Sequence, residues 1–494
     1  MNLFIQLDEK NSAGPTYRQI YEAIRRAILS GELQTSRALP PTRALANQLG
    51  VARTTVITAY EQLLAEGYLE GRAGAGTFVA AQLPEEFLQT SRFERRDGQA
   101  KSPPRKIQLS AYGDNLMRRQ SAILQNHSPT VLLPFQHGVT ALDLFPFEVW
   151  AKIAQRWQRR PPASILGYGH PVGFQPLREA VAAHLTAARG VRCSAEQVII
   201  TNGTQQALDL IGRIFLAEGD DVWLEDPCYF GTHDIFCAMG AKIVPVPIDG
   251  EGFDLQEAQK RSRKARLVYV TPSHQYPLGV TMSLARRLKL LEWARTTDSF
   301  IIEDDYNSEY RYAGRPLAAL QGLDRDGRVI YLGTFSKTVF PALRLGCLVA
   351  PPDLIDVFAA ARALSGLHSP ALDQAILAEF IDAGHFARHI RRMRGVYKER
   401  QQCLVEEARK HLDGALDVTP AAAGMHLIGW LPDGVSDNEI SSRAQEKNLK
   451  ITPLSAYRIR QKLRGGLFLG YTTFGEKQIK QGVKKLAQVL QEQS

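Results

Sequence analysis

Between residues 197 and 350, seven apolar runs of strand length recur at 197–201, 221–224, 242–246, 267–270, 299–303, 329–333 and 345–350, most of them separated by helix-length stretches. Strands buried on both faces read as continuous apolar runs, and a parallel neighbour can be reached only through a crossover of a dozen or more residues. The spacing therefore predicts a largely parallel sheet flanked by helices. At roughly 150 residues per domain, 494 residues correspond to about three domains with ample chain for a large core. Hydrophobic residues at 44% and charged residues at 22% are ordinary for globular chains and exclude wholesale disorder or a collagen-like class. No apolar run approaches the roughly 18 to 20 residues that cross a bilayer, and Asp8 and Glu9 stand where a signal peptide needs apolar residues. The expectation is a cytoplasmic protein with no membrane partner. The five cysteines are scattered and form no C-x-x-C pair, which points to reduced thiols and to no metal centre.

The first 80 residues follow a different pattern. Tyr17, Ile20, Tyr21, Ile24 and Ile28 make one helical stripe over 16–29, with Thr16 as its expected cap and Gly31 just past its end. A short helix over 42–49 ends at Gly50, and a third over 52–65 aligns Val56, Tyr60 and Leu63. Residues 67–79 then read as two short strands around a glycine-rich bend. Helix, helix-turn-helix and hairpin make a winged helix over 1–80. Residues 81–130 hold Pro84, Pro103, Pro104 and a basic cluster (Arg92, Arg95, Arg96, Lys101, Arg105, Lys106) with little periodicity, a linker composition. The second domain spans 131–494, with its large part at about 165–350 and a small part from the flanking segments. Its end carries charged helices from residue 385 and a closing helix with the stripe Ile479, Val483, Leu486 and Leu490.

The net charge of +9 permits a polyanionic partner without requiring one, and residues 1–80 carry only eight basic against seven acidic residues. Placement matters more than total charge. A recognition helix enters the major groove by its first turn, which here holds Arg53, Thr54 and Thr55. Arg43 is placed to meet phosphate, and the glycine-rich wing, Gly76 included, is small enough to approach the backbone of double-stranded promoter DNA. The stretch LPPTRALANQLGVARTTVITAYEQLLAEGYLEGRAGAGTFV resembles the GntR-type winged helix over about 65 residues. Pro41 departs from the serine usual before the Thr-Arg pair, which affects at most one phosphate contact.

Chemistry concentrates further along. Gly333–Thr338 reads GTFSKT, a lysine between small hydroxyl residues directly after an apolar strand, with Arg344 following. Such a lysine can form a Schiff base while the hydroxyls and the arginine hold a phosphate. Upstream, IIEDDY ends a strand with Asp304, Asp305 and Tyr306; a pyridoxal ring would use one carboxylate at its nitrogen and the tyrosine at its hydroxyl. TNGTQQA (Thr201–Ala207) sets a small-residue turn before a helix, and helix N-termini bind phosphate. Together these motifs resemble fold-type-I aminotransferases across roughly residues 130–490. The resemblance implies pyridoxal 5'-phosphate as cofactor, with Lys337 forming the internal aldimine, Asp304 at the pyridine nitrogen and Tyr306 at the ring hydroxyl. It further implies Gly203, Thr204, Ser336 and Arg344 at the phosphate, with Thr334 as a further candidate, and Tyr229 stacked on the ring. Tyr168, in LGYGHPVGFQPLR, resembles the tyrosine that reaches a partner subunit's phosphate, which implies a homodimer.

Two departures bear on function. The segment in which aminotransferases place Asn before Pro-x-Gly reads SHQYPLG, leaving His274 or Gln275 as possible neighbours. Phe468 stands where an arginine commonly clamps the substrate carboxylate, with Arg458, Arg460 or Arg464 as possible substitutes from the preceding loop. A GntR-type winged helix linked to an aminotransferase-like domain is similar to the MocR type of bacterial regulator. That resemblance implies DNA binding modulated by pyridoxal phosphate or an amino-compound effector at Lys337, with little or no turnover. Two other readings stay open: a regulator sensing pyridoxal phosphate itself to control vitamin B6 synthesis, and a working aminotransferase with a vestigial DNA module.

Overall fold

The apolar stripe of the first helix is the seed of a small core. In the computed structural model, which describes residues 15–72, 74–83, 107–126, 131–314 and 317–492, α1 (Thr16–Leu29), α2 (Thr42–Leu49) and α3 (Arg53–Ala65) bury Ile20, Ile24, Leu45, Val56, Ala59 and Leu63 against one another. Gly50 closes α2 at φ +66°, a conformation that costs a residue without a side chain little. Thr16 does not cap α1. Pro15 precedes the helix and its carbonyl accepts from Arg18 N (2.9 Å), so the threonine lies inside the first turn. The hairpin β1 (Leu69–Arg72) and β2 (Gly76–Val79) pairs Leu69 with Val79 and Arg72 with Gly76. Tyr60 binds the α1–α2 connection through its hydroxyl to Pro40 O (2.9 Å).

The chain divides into two compact units, 1–107 and 108–494. Part of the stretch expected as linker is ordered: Ala111–Asn126 is a helix of the second unit. Its attachment to the helix Phe230–Ala238 is polar, through Asn115 Nδ2 to Ala238 O (3.2 Å) and Arg119 to Asp234 (3.0 Å). The basic cluster of the linker lies outside the described residues.

All seven apolar runs are strands: β3 (Val198–Thr201), β4 (Asp221–Asp226), β5 (Lys242–Asp249), β7 (Leu267–Val270), β8 (Phe300–Asp305), β9 (Val329–Thr334) and β10 (Gly346–Val349), with a short β6 (Gly252–Phe253) between β5 and β7. The sheet order is β3-β10-β9-β8-β7-β4-β5-β6. β5, β4, β7, β8 and β9 run parallel, while β10 is antiparallel to both β9 and β3. Buried apolar layers cover both faces, one built on Leu208, Ile211 and Phe236, the other on Trp223 stacked against Trp293 at 4.2 Å. A second, antiparallel sheet of β11 (Asp417–Val418), β12 (His426–Trp430), β14 (Gly466–Gly470) and β13 (Thr452–Pro453) is backed by the helices His385–His411 and Glu476–Gln491. Ile479, Val483, Leu486 and Leu490 are buried there.

Candidate functional site

Because β10 enters the sheet antiparallel, its first residues share an edge with the C-terminal ends of β3, β4, β8 and β9, where ligands gather in open α/β sheets. That edge and the second sheet enclose a cavity of about 510 Å³. Gly203 and Thr204 reach it from the turn after β3, Tyr229 from beyond β4, Asp304 and Tyr306 from the end of β8, and Thr334, Ser336 and Lys337 from the end of β9. Arg344 joins them just before β10. Nine of the ten residues expected at a cofactor thus line one space. The tenth, Tyr168, is 92% exposed and lies outside it.

Strand alternation separates the neighbouring carboxylates. Asp304 faces the cavity and accepts from Tyr269 OH (2.7 Å), whereas Asp305 turns to the other side, against Arg189 Nε (2.7 Å) and Tyr331 OH (2.9 Å). Burial raises the Asp304 carboxyl to about 7, against the opposing effect of the Tyr269 hydrogen bond. Lys337 Nζ donates to Gly138 O (2.7 Å), and burial brings its ammonium down to about 8, with Asp304 opposing and Arg344 reinforcing the shift. A lysine must lose its proton before it can attack a carbonyl carbon. Cofactor capture by the cofactor-free protein should therefore rise with pH through a midpoint at about 8 and level off about one pH unit above it, as stopped-flow absorbance would show. A rate still climbing steeply near pH 10 would mean that Lys337 titrates like a solvent lysine.

Five buried polar atoms of residues on the cavity wall have no partner: His137 Nδ1, Gln205 Oε1 and, grouped around Lys337, Asp304 Oδ1, Tyr306 OH and Ser336 Oγ. Unpaired buried polar groups are costly, so such a convergence marks a place for a ligand. An acceptor, a phenol and a hydroxyl beside a primary amine match a pyridine nitrogen, a ring hydroxyl and a phosphate. At the phosphate end, the helix Thr204–Phe215 starts on Gly203 at φ +101°, and a Cβ there would sit 3.3 Å from Arg344 Nη2. Arg344 donates to Asn202 O (2.8 Å), which holds its guanidinium beside that helix N-terminus. These residues fit pyridoxal phosphate.

Sequence reasoning missed part of the wall. Neither His274 nor Gln275 lines the cavity; Gln275 donates to Pro227 O (2.9 Å) in the supporting loop, and Tyr276 takes the wall position. Tyr276 directly precedes Pro277, the place that the Pro-x-Gly register assigns to asparagine, so the register could have identified it. Tyr269, His137, Gly138, His426 and Tyr457 also line it, and nothing local distinguishes them from core residues. None of the three loop arginines does. Arg458 is held by Leu463 O (2.7 Å), the Arg460 backbone by Asp226, and Arg464 by Asp417 and the Trp430 ring.

In the first unit, Arg43, Arg53 and Thr54 are exposed, Thr55 is half-buried and Gly76 is exposed at the wing. Arg53 Nε reaches Thr42 Oγ1 at 3.4 Å, so the first turn of α3 abuts the start of α2.

Comparison with known proteins divides the chain in the same way. The family "Bacterial regulatory proteins, gntR family" matches residues 16–79, and "Aminotransferase class I and II" matches 135–467. The probable rhizopine catabolism regulatory protein MocR of Rhizobium meliloti is 41% identical over 97% of this chain and 94% of its own length. The pyridoxine biosynthesis transcriptional regulator PdxR of Corynebacterium glutamicum is 32% identical over 89% of this chain and 88% of its own. Among solved structures, the α-aminoadipate aminotransferase LysN of Thermus thermophilus, in complex with N-(5'-phosphopyridoxyl)-L-leucine, is 32% identical. It superposes with a TM-score of 0.70 over 78% of this chain and 97% of its own.

Proposed function

The chain belongs to the MocR-type regulators, in which a GntR-type winged helix precedes an aminotransferase class I and II domain, and on that premise we propose that occupancy of the cavity around Lys337 controls DNA binding. It is a pyridoxal-phosphate-dependent transcriptional regulator. When bound, pyridoxal phosphate supplies an aldehyde that reacts reversibly with amines and an electron-withdrawing ring. Lys337 Nζ is the amine positioned for that aldehyde, with Asp304 as the charge partner for the ring nitrogen and Tyr306 as the donor to the ring hydroxyl. Ser336, Thr334, Arg344 and the Gly203–Thr204 helix start hold the phosphate, and Tyr229 covers the ring. The convergence of these groups in a chain that also exposes Arg43, Arg53 and Thr54 on a helix-turn-helix carries the reading.

A ligand shifts a conformational equilibrium only through unequal affinity for the two states, and exchange of Lys337 for another amine supplies that inequality. In our reading the regulator is a cytoplasmic homodimer, with exposed Tyr168 reaching the partner's phosphate and two winged helices covering two half-sites. The test measures promoter affinity by fluorescence anisotropy while the visible absorption of the purified protein is followed through titrations with pyridoxal phosphate and amines. DNA affinity should change together with the spectrum. Turnover of an amino acid and an oxo acid at roughly 1 to 1000 per second would replace this reading with the enzyme one. Phe468 favours a second reading, in which pyridoxal phosphate is itself the signal, and affinity would then respond to the cofactor and to no amine.

A further inference from the structure

Phe468 is fully buried behind the wall of the cavity formed by the second sheet. Its ring centroid lies 4.2 Å from that of His426, 4.4 Å from His137, 5.3 Å from Tyr457 and 5.7 Å from Tyr276, and those four rings line the cavity. Both imidazoles on this wall are neutral. Burial brings His137 down to about 3 and His426 to about 4, and nearby positive charge adds to the fall. His426 Nε2 donates to Pro277 O (3.0 Å), and His137 Nε2 shares a hydrogen bond with Tyr457 OH (3.0 Å), while His137 Nδ1 is buried without a partner. The rings of this wall therefore offer aromatic faces and neutral hydrogen-bonding groups and themselves carry no positive charge.

The cationic side chains lining the cavity, among the described residues, are Lys337, Arg344 and Lys450. Lys337 supplies the reacting amine, and Arg344 is tied to Asn202 at the helix N-terminus. Asp234, on the lining beside Tyr229, is already paired with Arg119 (3.0 Å) and adds no cation to the cavity. A carboxylate pressed against the His137, His426 and Phe468 stack would lose its water and gain no counter-charge from those rings, which is unfavourable. An amine with a neutral polar or aromatic body would instead stack on the rings and reach His137 Nδ1.

We propose that the effector at this site is a primary amine with no carboxylate on its amino carbon, recognised by the neutral aromatic wall that Phe468 supports. The inference rests on the cofactor reading above and names the ligand class for it. In the exchange, one carbon–nitrogen linkage forms as another breaks and the two N–H protons of the incoming amine end on Lys337 Nζ, so no oxidant or further reactant is needed.

The test uses the full-length protein loaded with pyridoxal phosphate and matched pairs that differ by one carboxylate: 2-phenylethylamine against phenylalanine, and ethanolamine against serine. The amine of each pair should shift the visible band, and DNA affinity with it, at a concentration roughly ten-fold or more below that of its amino acid. Phe468→Arg should reverse the order, with Phe468→Met as a packing control that preserves it. The wild-type titration decides the matter even if Phe468→Arg does not fold. Equal or better response to the amino acids overturns the inference, and loss of that response in Lys450→Met would identify Lys450 as the clamp that the wall lacks. Absence of response to every probe, with the band present, also overturns it and leaves the cofactor reading intact. Absence of the band and of borohydride capture at Lys337 overturns both.

Discussion

Lys337→Ala is expected to abolish the visible band of the bound cofactor and its borohydride capture while promoter binding by the cofactor-free form persists. The loss should be complete, because the only other lysine lining the cavity among the described residues, Lys450, stands across from the sheet edge near β13 and cannot take the place of a side chain on the turn after β9. Asp304, Tyr306, Ser336, Arg344 and the helix start at Gly203 remain in the variant, so pyridoxal phosphate should still bind, but dialysis should remove it. The structural penalty is small. Gly138 O loses the hydrogen bond from Lys337 Nζ, on the order of 1 kcal/mol, and a buried amine already short of water disappears with it. DNA binding persists because residues 16–79 have their own core, built on Ile20, Ile24, Leu45, Val56 and Leu63. Absorbance, reduction followed by peptide mapping, and anisotropy on one preparation check all three expectations. Persistence of a reducible linkage in the variant would place the reacting amine elsewhere.

Arg53→Ala is the second large effect. At the first turn of α3 its guanidinium is exposed, and its contact with Thr42 Oγ1, at 3.4 Å, is too long and too wet to matter for stability. If it reads a guanine edge, promoter affinity should fall by roughly 1 to 3 kcal/mol, about 5- to 150-fold, with preference relaxed at a single base position. Arg43→Ala should act differently: affinity falls on all sequences alike, and the slope of log affinity against log salt becomes shallower by about one. Thermal unfolding of both variants should match the parent, since neither side chain enters the core. Unchanged affinity in Arg53→Ala, or a loss equal on promoter and random DNA, would remove Arg53 from base readout.

What the sequence determined by itself is the material of local pattern. Helical period and a left-handed glycine set α1 to α3 within a residue of their ends, because both signals reside within about one turn of chain. Continuous apolar runs marked the buried strands, since burial on both faces leaves β3, β7 and β10 without a charged position. Lys337, Asp304, Tyr306, Gly203 and Arg344 were legible because each sits at a strand end in a short motif of unusual residues.

The tertiary structure decided everything that depends on which way a side chain points or what a distant segment brings to it. Two adjacent aspartates look alike in sequence, and only the pairing of β8 with β7 and β9, with Arg189 waiting on one side, sends Asp305 to an ion pair and leaves Asp304 Oδ1 unpaired in the cavity. The helix Ala111–Asn126 escaped notice because the partners of Asn115 and Arg119, Ala238 O and Asp234, arrive from a helix more than 100 residues further along the chain and leave no signal in its own segment. Phe468 could be read as a missing arginine but not as the centre of a stack, for His137, Tyr276, His426 and Tyr457 come from four segments up to 320 residues apart along the chain. Sequence period reports a side chain's neighbours along its own element; the neighbours that make a site arrive across the fold, and their identity is fixed only when the two sheets close on one another.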